Sequence, residues 1–172
     1  MYVTVLIVIV VSVWLLVAWL IRKGQDEYSL YASKLAGINA LSLDEAKDRA
    51  ENLLRDEMFF KCLESGAVNE EIFSSFPVGL RQIMQRYKVI ESVSGPEVRL
   101  DRRLIGDSVN HPGYTVIGIG MEGSDTEFEI SVSPPGEAIY ECYQGESIDA
   151  TFGTYTSIFH WIIATAGEAG AK

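Results

Sequence analysis

An α+β fold is predicted, with an N-terminal transmembrane helix, then helices packed on an antiparallel β-meander, then a closing C-terminal helix. Three observations predict it. Residues 2–21 form an uncharged apolar run, the hydrophobic period changes from helical to alternating after Lys88, and a helical apolar stripe returns over residues 154–166. Helices first and strands afterwards exclude the alternating βαβ order of a parallel sheet.

The run from Tyr2 to Ile21 contains no charge, no Pro and no Gly. Twenty such residues match the thickness of a bilayer's hydrocarbon core, where the backbone must satisfy its own hydrogen bonds and so becomes helical. A cleaved leader would need a basic start and small residues at its exit; here no Lys or Arg precedes the run, and Trp19, Leu20 and Ile21 end it. Trp19, Arg22 and Lys23 then flank the predicted anchor. Basic residues on that side only predict an outside N-terminus and a cytoplasmic domain at a cell (inner) membrane. The expected organisation is an anchor at 1–23, a juxtamembrane linker or helix at 24–41, an α+β domain at 42–166 and a tail at 167–172.

The 172-residue chain carries a net charge of −10, and every charged side chain follows Ile21. An acidic domain of this size repels nucleic acid and suits either plain solubility or a basic protein partner. Cys62 and Cys142 lie far apart, with no Cys-x-x-Cys motif, and both read as reduced core residues.

Ser42 with Glu45 three residues on is a capping-box pattern, and the helix it opens is expected to run to about Ser65, stopped by Gly66. A short helix is expected at 70–75. Pro77 opens the next helix, whose Leu80, Ile83, Met84 and Tyr87 form a core-facing stripe. Strands are expected at 89–93, 98–100, 114–120, 127–133 and 138–143, separated by turns rich in Gly, Ser, Asp and Pro. Phe128, Ile130 and Val132 alternate with Glu127, Glu129 and Ser131, the mark of a strand with one wet face. Residues 154–166 read as the last helix, with Ile158, Trp161, Ile162 and Thr165 on one stripe.

Little of this pattern carries catalytic chemistry. Residues 118–123 match G-x-G-x-x-G by letter, but a strand follows the glycines where the dinucleotide fingerprint needs a helix, so turn geometry explains them. His111 reads as a solvated loop residue before a Pro-Gly turn, and His160 as a helical residue that is buried or beside a groove. Neither has a Cys or carboxylate at ligand spacing, so no metal, cofactor or small molecule is expected. The carboxylates Glu122, Asp125, Glu127, Glu129 and Glu141 crowd the meander and are the candidate contacts for a basic protein partner.

Residues 76–87, reading FPVGLRQIMQRY, together with the Tyr114–Gly120 strand, Phe128-Glu129-Ile130, Ala138-Ile139-Tyr140-Glu141 and the helix around residues 155–163, resemble the SMI1/KNR4 (SUKH) superfamily. The family's usual Gly-Gly pair after the proline helix is replaced by Lys88-Val89-Ile90. The resemblance implies a non-enzymatic protein-binding domain, and bacterial members of the family include immunity proteins that neutralise a toxin by direct docking. The alternative expectation is a structural or accessory subunit of an inner-membrane complex, with the lipid-embedded helix as its interaction surface.

Overall fold

The computed structural model describes residues 2–65, 73–93, 98–120, 126–132, 135–143 and 153–167, with side chains from residue 12 onward. The chain divides into two units, Met1–Gly37 and Ile38–Lys172. The first is most of a single helix, α1 (Tyr2–Asn39), 38 residues long.

The expected transmembrane anchor is corrected here. Among the described residues no helix is long and apolar enough to cross a membrane. The side chains of residues 2–11 of the apolar run lie outside the described residues, and any membrane-length stretch beginning at Ser12 takes in Arg22, Lys23, Asp26 and Glu27. Trp19, Arg22 and Lys23 are the residues expected to flank the anchor. They sit within an unbroken helix, where the Lys23 ammonium lies 5.7 Å over the Trp19 ring and 3.7 Å from Glu27 one turn on. The expected linker at 24–41 is helical as far as Asn39.

In the second unit, α2 (Leu43–Leu54) starts at the predicted cap. The Ser42 hydroxyl accepts from the Glu45 amide, and the Glu45 carboxylate accepts from the Ser42 amide. Ala46, Ala50 and Leu54 form its buried stripe. The helix was expected to continue to Ser65, yet it ends at Leu54. Asp56 accepts from the Met58 amide at 2.9 Å and turns the chain, and Phe60–Glu64 becomes strand β1. Local spacing favoured helix there, but backbone pairing with β2 (Tyr87–Ser92) overrides it, from Phe60 opposite Ser92 to Glu64 opposite Tyr87. Cys62 is thus a strand residue, its thiol 3.5 Å from the Leu54 carbonyl. Gly66 and residues 70–72 of the expected short helix lie outside the described residues. Pro77 stands at the N-cap position of α3 (Val78–Arg86), and Leu80, Ile83 and Met84 are buried on its stripe as their spacing predicts, whereas Tyr87, expected on the same helix, is buried as the first residue of β2.

Among the described residues six further strands continue the sheet: β3 (Val98–Asp101), β4 (Gly106–Asp107), β5 (Tyr114–Gly120), β6 (Thr126–Val132), β7 (Pro135–Tyr143) and β8 (Gly153–Tyr155). The order is β1-β2-β3-β5-β6-β7-β8, antiparallel throughout, with β4 paired to β5 beside β3. Register assigns the two faces. Cys62, Ile90, Leu100, Gly118, Phe128 and Glu141 oppose one another in turn and share one face. Gly118 is required there, since a Cβ at that position would lie 2.7 Å from the Arg99 carbonyl and collide with the Leu100 side chain.

That face carries the helices. Residues 154–166, expected as one helix, divide into β8 and α4 (Ile158–Gly167). The Asn39 side chain accounts for the division: it donates to the Thr154 carbonyl at 2.8 Å and accepts from the Thr156 amide at 3.0 Å, holding the chain extended just before α4. Trp161 packs edge-on against Phe128 with ring centroids 5.3 Å apart, and Phe159 covers Gly79. His160 is buried: its Nε2 lies 3.2 Å from the Leu41 carbonyl and its Nδ1 2.8 Å from the Ser157 hydroxyl. A carbonyl can only accept, so Nε2 donates to it.

Candidate functional site

The opposite face of the sheet carries Lys61, Glu91, Arg99, Ile119, Glu127 and Cys142 in successive register, with Glu129 and Tyr140 opposite each other on the next rung. It divides into an open basic end and a covered polar centre.

The covered centre is built by the β4–β5 loop. Ser108 accepts from the His111 amide at 3.1 Å, and Gly113, with φ 85°, supplies the left-handed residue that turns the chain into β5. This folds the loop over β6. There the Glu129 carboxyl group accepts from the Ser108 hydroxyl at 2.7 Å and meets His111 Nδ1 at 2.8 Å. Tyr114 and Tyr140 wall the place with rings crossed at 82° and 5.5 Å apart, and Tyr114 also meets the edge of His111. Cys142 follows from the register, one diagonal step along β7 from Tyr140. His111, Glu129 and Cys142 are 6, 0 and 2% exposed, and one ligand atom from each lies within 4.8 Å of the other two.

Two expectations are corrected by this geometry. His111 is buried, not solvated, and it does have a carboxylate and a cysteine at ligand distance. Glu129 sits at a wet-face position by alternation but does not reach the surface, because the loop covers that part of the face. The other two described acidic candidates do not gather either. Glu127 and Glu141 project from opposite faces, and Glu141 accepts from the Tyr155 hydroxyl at 2.6 Å beside the helices. Glu122 and Asp125 lie outside the described residues.

The basic end was missed by sequence reasoning altogether. A groove of about 360 Å³ runs along β1, β2 and β3, with Lys61, Lys88, Arg99 and Arg103 around it, Leu63 and Val89 as apolar lining, and Glu91 as its acidic member. Asp101 organises this end. Its carboxylate accepts from Arg103 at 2.6 Å and Arg99 at 2.9 Å, as well as from the Arg103 amide. Hydrogen bonding from Arg103 holds its pKa down to about 2, against burial, which pushes it up. A depressed carboxylate stabilises the fold fully above its ordinary value of 3.8, and the contribution disappears as pH falls through the folded value. Asp101→Asn is therefore expected to lower stability by about 1–2 kcal/mol at pH 7 and to lose its effect near pH 2, read from urea midpoints across that range. The signal available in the sequence was the cluster Arg99, Asp101, Arg103, which only the pairing of β3 with β2 brings beside Lys61 and Lys88.

Compared with protein-family models, with curated proteins and with solved structures, the chain matches none.

Proposed function

We propose that the chain is a non-enzymatic protein-binding module that docks an acidic segment of a partner protein on the basic end of its sheet. The observation that carries this reading is four cations around one open groove on a chain whose net charge is −10. An excess of positive charge in a concave site, here four cations against Glu91, steers and orients an oppositely charged partner. The apolar lining at Leu63 and Val89 gives such a segment something to bury besides its charge. Arg99 and Arg103 are held in place by Asp101, so two of the four cations are positioned before the partner arrives.

The polarity of the partner is the reverse of the one that net charge alone favours. A basic partner requires the meander carboxylates to share a surface, and Glu127, Glu129 and Glu141 do not. The SMI1/KNR4-like resemblance makes a toxin the first class of partner to try, with its acidic surface as the docked part.

Poly-glutamate is a suitable first probe. The chain is expected to bind it at low ionic strength, more weakly as salt rises. Lys61→Glu with Lys88→Glu, two exposed changes, is expected to weaken binding at least ~10-fold with circular dichroism unaltered, since two reversed rim charges each act on a desolvated polyanion. Equal binding by this variant, or preference for poly-lysine, would reject the groove as the docking site.

A further inference from the structure

We propose that His111, Glu129 and Cys142 form a binding site for one divalent transition-metal ion of the zinc class. The site lies away from the basic groove, shares no residue with it, and does not depend on the docking reading.

Donor chemistry sets the metal class. An imidazole nitrogen, a carboxylate oxygen and a thiolate sulfur are the three ligand types that zinc accepts together, whereas calcium and magnesium take oxygen alone. Geometry agrees. Zinc bonds of roughly 2.0–2.3 Å place tetrahedral ligands about 3.3–3.8 Å from one another. The three donor atoms here already lie within 4.8 Å of each other, so small side-chain rotations bring them to that spacing. Each donor also comes from a different element: the β4–β5 loop, β6 and β7. An ion at this point ties the loop to the sheet, the job now done by the hydrogen bonds to Glu129.

The surroundings suit a metal. All three residues are buried, so bulk water does not compete for the ligands. Three protein ligands leave a fourth position, and the Ser108 hydroxyl stands 2.7 Å from Glu129 beside it. Cys142 coordinates as thiolate, its proton leaving to solvent.

The test uses the full chain, stripped with a chelator and titrated with Co²⁺ alone. One equivalent is expected to bind with the intense visible bands of tetrahedral cobalt and a near-ultraviolet thiolate-to-cobalt charge-transfer band. Cys142→Ser is expected to abolish the charge-transfer band and weaken binding more than ~100-fold, beyond the loss typical of a changed outer-shell partner. Cys62→Ser leaves both unchanged, because Cys62 faces α2 from the other side of the sheet. Should Cys142→Ser fail to fold, the wild-type titration still decides. Absence of Co²⁺ binding, binding without the thiolate band, or a thiolate band lost with Cys62→Ser would each overturn the proposal.

Discussion

Trp161→Ala is expected to destabilise the Ile38–Lys172 unit by about 3–5 kcal/mol, enough to unfold much of the population of a marginal domain. Trp161 is 1% exposed and is among the largest fully buried side chains of the core. It is the contact through which α4 grips the sheet at Phe128. Truncation removes both the transfer energy of the ring and its edge-to-face contact, and leaves a cavity that the strand backbone cannot collapse to fill. Among the described residues its indole Nε1 has no hydrogen-bond partner, so Trp161→Phe keeps the aromatic contact and discards a buried unsatisfied N–H. That variant should recover most of the loss. Urea midpoints of the two variants provide the check, and equal loss by both would show that aromatic packing against Phe128 is not what holds α4.

The second large effect belongs to the covered polar centre. His111→Ala, measured in the presence of a chelator, is expected to cost about 3–5 kcal/mol, because it strands the carboxyl group of a fully buried Glu129 without its imidazole partner. Among the described residues, the Ser108 hydroxyl then remains to donate to that group. Adding Glu129→Ala to this variant should cost less than the sum of the two single changes by about 0.5–3 kcal/mol, since the stranded group is then gone. A double-mutant cycle reads this directly. Strict additivity would mean that the two side chains act independently and that the loop is held by something else.

Both effects rest on parts of the molecule that were unequally visible in the sequence. Trp161 was legible as a core residue because its helical stripe repeats over neighbouring residues. The same local logic found Leu80, Ile83 and Met84, and the Ser42–Glu45 cap, while Tyr87, read on the same helix, opens β2. The centre around Glu129 was not legible. Strand alternation states which face a side chain takes, not whether another segment covers that face. Covering Glu129 takes a loop that begins 21 residues earlier, at Ser108. Cys142 joins only through the register of β6 with β7.

At the N-terminus, charge does not end a helix whose backbone bonds are all internal, and α1 runs past Arg22 and Lys23 to Asn39, through the stretch expected as a linker or helix. Residues 60–64 were misread: a helical spacing of apolar residues was outweighed by an available strand edge at β2.

By itself, then, the order of residues determined the α+β class of the domain, the start of α2, the position of α3 and most of the meander, because period, caps and turns act over a few residues. Only the tertiary structure decided that Phe60–Glu64 is a strand, that the basic side chains of β1, β2 and β3 share a groove, and that His111 meets Glu129 and Cys142. Those outcomes depend on register and on which face is covered, and both are set by contacts between segments far apart in the chain.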